Sequence, residues 1–165
     1  MRLTTFTDFS LRVLIFVALK GDLRATIPEI SAAYGISRNH LMKVVHGLGK
    51  AGFLRTVKGR GGGIALARPA GEIRVGEVVL AMEGGFALVE CFDREHNRCV
   101  ITGSCVLKHA LNDALAAFIA ELDKRTLANL VAPEALFREL NLVGGSGAAP
   151  SGSLPSRKQL SPEEQ

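Results

Sequence analysis

Between Thr26 and Ala67 the sequence orders its helix-forming and turn-forming residues in a way that few folds accommodate. A first helix is predicted from Ile27 or Pro28 to Tyr34, with Thr26 as its cap and Pro28 in the tolerated first turn. Gly35 makes a short turn. Ser37 then caps a second helix running from Arg38 to about Lys50, which Ala51-Gly52 closes. Helix, tight glycine turn, helix is the helix-turn-helix arrangement. Two strand candidates follow, Phe53 to Val57 and Gly63 to Ala67, joined by the basic, glycine-rich turn Lys58-Gly59-Arg60-Gly61-Gly62. A basic hairpin directly behind the second helix is the wing of a winged helix.

The remaining segments fit around that unit. From Asp8 to Leu19 the chain is apolar on nearly every face, which predicts a buried helix, and Thr5 with Asp8 three residues later has the form of a capping box. Gly21-Asp22 ends it. Val75 to about Met82 reads as a short amphipathic helix. A long helix is predicted from Cys105 to about Leu122, with Leu107, Leu111, Ala114, Leu115, Phe118 and Leu122 as its apolar stripe. Thr126 to Val131 and Pro133 to Leu140 read as two further short helices. From Gly144 onward the Gly-, Ser- and Pro-rich sequence cannot build a core and is expected to be disordered. The fold class is therefore mainly α with a small β-hairpin, and there is no internal repeat.

Charge is unevenly divided. Residues 1–75 hold 12 Lys/Arg against 4 Asp/Glu, a balance of +8, whereas residues 76–165 hold 8 against 12, a balance of −4. A basic half joined to an acidic one points to a polyanion partner for the first, and nucleic acid is the usual one. On a helical wheel of residues 38–50, Leu41, Val44, Val45 and Leu48 share one side, while Asn39, Lys43, His46 and Lys50 share the other, with Arg38 near the amino-terminal end. That division suits a recognition helix, which needs one stripe fixed to its domain and another offering donors to bases and phosphates. Candidate DNA contacts are Ser37, Arg38, Asn39, His40, Lys43, His46 and Lys50, with Pro28 ahead of them. In the wing, Arg55, Lys58, Arg60 and Gly61 join them, glycine letting the backbone approach the duplex closely. These glycines are not a nucleotide-binding loop: no Gly-x-Gly-x-x-Gly and no Gly-Lys-Ser/Thr occurs.

All three cysteines, Cys91, Cys99 and Cys105, fall within one 15-residue stretch of polar, charged sequence. Structural cysteines usually lie in apolar surroundings and behave as small hydrophobes. Their odd number argues against a disulfide framework. The amino terminus lacks the order of an export signal, so the expected compartment is the reducing cytoplasm, where thiols stay free for soft metals. No Cys-x2-Cys pair is present, so this is not a zinc-finger spacing. Spacing alone leaves two metals open: zinc held by three thiolates with His96 or His109, or an iron–sulfur cluster, which tolerates a non-cysteine fourth ligand; a purely structural, metal-free role is the remaining alternative.

Several stretches taken together resemble the iron–sulfur winged-helix repressors of bacteria. They are Leu3 to Ile15, Tyr34 to Val45, Val57 to Leu66, Leu88-Val89-Glu90-Cys91 and Thr126 to Val131, and the likeness covers about residues 1–131. It implies that Cys91, Cys99 and Cys105 bind an iron–sulfur cluster, 4Fe-4S or 2Fe-2S. It also implies that the long helix forms a homodimer on a palindromic double-stranded DNA operator. In some members of the nitric-oxide-sensing branch an aspartate near the amino terminus supplies a fourth ligand from the other subunit. Asp8 matches that position, and its alternative role is to cap its helix and complement the dipole. The seven-residue gap between Cys91 and Cys99 is instead like that of the iron-responsive, RirA-like branch, which usually lacks both the Asp8 match and the Ser37-Arg38-Asn39-His40 stretch.

The expected organisation is a winged helix-turn-helix domain over residues 1–82, a cluster-binding loop over 83–104, a dimerisation helix with C-terminal helices over 105–140, and a disordered tail over 141–165. The leading functional expectation is a repressor that senses nitric oxide through its cluster. An iron-responsive regulator is the alternative, and a zinc-stabilised DNA-binding protein without a sensing role is the second. An enzyme is not expected: no Cys/His/Asp constellation sits on a strand-turn-helix scaffold, and catalysis would leave the basic half unexplained. No run of about 18 apolar residues is present, so no membrane-spanning helix is expected.

Overall fold

The computed structural model describes residues 2–86, 88–93, 95–132, 135–140 and 142. Its elements run α1 (Thr5–Leu19), α2 (Ile27–Tyr34), α3 (Arg38–Lys50), β1 (Leu54–Val57), β2 (Gly63–Leu66), α4 (Val75–Met82), α5 (Val106–Asp123), α6 (Leu127–Leu130) and α7 (Ala135–Glu139). The mainly α architecture with one small hairpin agrees with the expectation.

Local capping accounts for most boundaries. Thr26 and Glu29 form a reciprocal capping box at the start of α2, with Pro28 in the first turn, and Gly35 ends that helix at φ 66°. Ser37 accepts the His40 amide at the start of α3. The start of α1 differs from the capping box expected at Thr5 and Asp8. Thr5 already lies inside the helix, and Thr4 is the cap, its hydroxyl accepting the Thr7 amide. The acid that completes this cap comes from the far end of α4. Glu83 accepts the Thr4 amide at 2.9 Å and the hydroxyls of Thr4 and Thr7. Asp8 is thereby released from capping and pairs with Arg12 one turn along, at 2.8 Å.

The core gathers around α1. Val13, Leu14, Phe16 and Val17 pack with Ile30 of α2, with Leu41, Val44 and Leu48 of α3, and with Phe53, Leu54, Ile64, Ile73, Val78 and Met82. Leu127 of α6 is 2% exposed in this same cluster, and Leu140 and Leu142 pack against it. Leu142 is the only described residue of the expected 141–165 tail; the rest lies outside the described residues. Two polar side chains at 0% exposure, Thr7 and Ser10, are satisfied, Ser10 donating to the Phe6 carbonyl at 2.7 Å.

β1 and β2 pair antiparallel in the register Leu54 with Leu66 through Val57 with Gly63. Ala25 adds a short third rung, exchanging two backbone hydrogen bonds with Ile64 at 3.0 and 2.7 Å. The turn between the strands has no room for a side chain at Gly62, where a Cβ would sit 2.4 Å from the Val57 carbonyl oxygen.

α5 stands apart from this core. It docks on α4 where Gly76 lets the helices close, and Asp123 accepts the Glu77 amide at 3.1 Å, capping α4 from another helix. None of its 18 residues is buried, and Leu107 and Val106 are 64% and 80% exposed.

Candidate functional site

α3 presents the division read from its sequence. Leu41, Val44 and Leu48 are buried, and Arg38, Asn39, His40, Lys43, His46 and Lys50 are all exposed. Two rings of α1 hold the helix in place. Phe6 packs against Gly47, where an added Cβ would lie 2.9 Å from the ring, and Phe9 lies 6.2 Å from the His40 ring. Pro28 and Ser37 are exposed, the Ser37 oxygen being used as the α3 cap.

The wing is exposed at Arg55, Lys58, Arg60 and Gly61. Its tip is pinned from outside the hairpin, because Arg24 donates to the Gly61 carbonyl at 2.6 Å. Arg55 spans the two strands, its Nε donating to the Leu66 carbonyl at 3.2 Å. Among the described residues none of Arg38, Lys43, Lys50, Arg55, Lys58 and Arg60 is in an ion pair. Such unpaired, exposed charge is what phosphate binding requires. Arg24 was not singled out from the sequence, because its role is visible only once residues 24 and 61 are brought together. Met42, an apolar side chain outside the polar donors of the wheel, is also 54% exposed on α3.

The three cysteines are free and half-buried. Cys91 lies in a 3-10 turn, Glu90–Phe92, and lines a cavity of about 800 Å3 with Phe86, Phe92, His109 and Asn112. The Cys99 amide donates to the Asn97 side chain at 3.0 Å, and its carbonyl accepts the Thr102 hydroxyl at 2.7 Å. Glu90, beside Cys91, accepts the amide of Arg98, beside Cys99, at 2.6 Å. One carboxylate thus closes the segment between two of the thiols into a loop. Cys105 is the N-cap residue of α5 and makes no side-chain capping bond, so the positive end of an 18-residue helix adjoins the third thiol. His96, a candidate zinc ligand, is bonded through Nδ1 to Asp93 at 2.8 Å, and this bond, with the Glu95 amide, holds the Asp93 carboxyl below its ordinary range. The sequence led to the expectation that the thiols converge. Among the described residues, however, no three Cys, His, Asp or Glu side chains come together closely enough to hold a metal ion. The structure brings the thiols onto one loop without assembling them into a ligand set. The chemistry of the donor set, three free thiols of which Cys91 and Cys99 flank the Glu90–Arg98 closure and Cys105 opens α5, fits an iron–sulfur cluster. Asp8 lies on a different element, its carboxylate engaged by Arg12.

A helix-turn-helix with an unpaired polar face and a basic wing defines a winged-helix DNA-binding protein. The chain belongs to the Rrf2 family, described as iron-dependent transcriptional regulators, whose profile matches residues 3–133. It is 53% identical over 133 residues to the HTH-type transcriptional regulator NsrR of Bacillus subtilis, a match covering 79% of this chain and 90% of that protein. NsrR of Bacillus licheniformis is 46% identical over 141 residues, 85% of this chain and 99% of the relative. Among solved structures, the oxidized form of CymR from Staphylococcus aureus superposes with a TM-score of 0.63 at 26% identity, covering 79% of this chain and 96% of that one. IscR of T. potens gives a TM-score of 0.64 at 24% identity, covering 89% and 94%. The family is one of regulators, and the chain is not an enzyme. No helix among the described residues is long and apolar enough to cross a membrane.

Proposed function

We propose that this chain is a cytoplasmic, homodimeric repressor that senses nitric oxide through an iron–sulfur cluster and releases a palindromic DNA operator when the cluster is modified. The observation that carries the reading is the loop of three free thiols set between α4 and α5. The names of the NsrR relatives at 44–53% identity support it. Cys91, Cys99 and Cys105 would hold the cluster, 4Fe-4S in the leading reading and 2Fe-2S in the other, with Asp8 of the second subunit as candidate fourth donor. When bound, the cluster supplies iron able to react with nitric oxide. Everything else is the work of the chain.

Glu83, where the loop begins, caps α1 through Thr4 and Thr7. α1 carries Phe6 and Phe9 onto Gly47 and His40 of α3. A loop that loses its ordered shape therefore acts on the seat of the recognition helix, an order-to-disorder coupling. α5, with no buried residue, offers the apolar stripe for a second copy. That copy would set two α3 helices at the spacing of two half-sites.

The test is a visible spectrum of anaerobically purified protein, followed by DNA titrations with added nitric oxide. Cluster absorbance is expected, lost in each of Cys91→Ala, Cys99→Ala and Cys105→Ala while the fold and dimer persist. Asp8→Asn, which keeps the shape but not the charge, should alter the rate of cluster loss under nitric oxide. Retention of the full spectrum in any cysteine variant would remove that thiol from the site. A colourless protein with stoichiometric zinc would establish the non-sensing alternative. The seven-residue gap between Cys91 and Cys99 favours a second reading, an iron-responsive regulator. It predicts DNA release on iron chelation and indifference to nitric oxide.

A further inference from the structure

α3 carries one large apolar side chain that core packing does not account for. Met42 is 54% exposed, whereas Leu41, Val44 and Leu48 are buried and Val45 is half-buried against the core. A single exposed apolar residue is ordinary on a protein surface. The position of this one gives it a role. Asn39 lies one turn before it and His46 one turn after, both exposed, so Met42 emerges in a row with side chains suited to base edges. With Ile27, His46 and Thr56 it lines a groove of about 600 Å3 between α3 and the hairpin.

The major groove offers one apolar group, the C5-methyl of thymine. An asparagine amide gains little from it, and a methionine gains more, being apolar along its whole length. Its unbranched, polarizable thioether adapts to the depth and angle of the approach. We propose that Met42 is a specificity-determining residue that packs its thioether on a thymine methyl, beside the polar contacts of Asn39 and His46. This rests on α3 being the recognition helix. It adds an apolar determinant that a search for donors would overlook.

The full chain, purified anaerobically, would first select preferred duplexes from a randomised library. Each thymine of the selected sequence is then replaced in turn by deoxyuridine, which removes the methyl and leaves every hydrogen-bonding group in place. At one thymine per half-site, wild-type affinity should fall about four-fold, the worth of one buried methyl-sized group. Met42→Ala should bind more weakly and be indifferent to that replacement, while Met42→Leu should remain sensitive to it. Identical responses of wild type and Met42→Ala to every replacement would overturn the methyl contact while leaving α3 as the recognition helix. Failure of wild type to enrich any sequence would overturn both readings. Met42 is exposed, so both variants should melt with the wild type, and a melting check confirms that affinity alone is being read.

Discussion

The junction between α4 and α5 rests on a single missing methyl group. At Gly76 an added Cβ would lie 2.5 Å from Asp123 Oδ1 and 2.8 Å from the Ile119 carbonyl oxygen. The carboxylate can swing aside, but the carbonyl belongs to the α5 backbone and cannot. Gly76→Ala must therefore push the helices apart, at the ~1–3 kcal/mol typical of overpacking. Moving Asp123 also frees the Glu77 amide it caps, for about 1 kcal/mol more. Against this stands the better helix propensity of alanine, at most ~1 kcal/mol, and less in a first turn. The balance is a destabilisation of about 2 kcal/mol, or a fall in melting temperature of about 4–8 °C for a chain of this size. Thermal unfolding followed by circular dichroism measures it. In an Asp123→Ala background the carboxylate clash is gone and the amide already free. Gly76→Ala should then cost about half as much, a coupling of at least ~0.5 kcal/mol. A variant that melts at or above wild type would show that propensity dominates and that α5 is not seated on α4 as described.

Lys43→Ala and Arg60→Ala should weaken binding to preferred and random duplexes alike, and each should lower the salt slope by about 1. Anisotropy titrations at several salt concentrations check this, and unchanged slopes would discard the phosphate contacts. Glu29 gives a pH-dependent case. Burial pulls its carboxyl upward, but Lys20 at 2.8 Å and the hydroxyl and amide of Thr26 outweigh that and hold it below the ordinary value. A depressed carboxylate contributes stability that is present above its unfolded pKa of about 4.3 and lost as pH falls through the folded value. Wild type should therefore be more stable than Glu29→Gln near neutral pH by less than ~1 kcal/mol, since the Glu29 side chain is 42% exposed, with the gap closing as pH falls below the ordinary carboxylate range. A gap that persists in stronger acid would refute the assignment.

Residues close in sequence made α2, α3 and the wing legible before any fold was known. Thr26 with Glu29, and Ser37 with His40, are caps spanning three residues, and Gly35 ends α2 within the same window. Each element's local chemistry agrees with its final place, so boundaries read from pattern hold to within a residue or two. The exposed face of α3 was legible for the same reason, because a wheel needs only the helix itself. The crowding of Cys91, Cys99 and Cys105 into one stretch was equally plain.

Tertiary structure decided whatever depends on partners far along the chain. The α1 cap is Thr4 rather than Thr5 because Glu83, 79 residues away, completes it. α4 is capped by Asp123, 46 residues beyond Glu77, and the wing tip is tied to Arg24, 37 residues before Gly61. No periodicity or spacing encodes such pairs, since each exists only after α1 has gathered the other elements around it. The loop thiols show the same limit. Sequence places three soft donors close together in number, but the fold of the segment that carries Cys91 and Cys99 is set by its own hydrogen bonds, the Arg98 amide donating to Glu90 and the Cys99 amide to Asn97. Met42 lies between the two cases: a wheel sets it at the border of the exposed face of α3, and only the packing of that helix fixes it as 54% exposed in the groove beside Thr56.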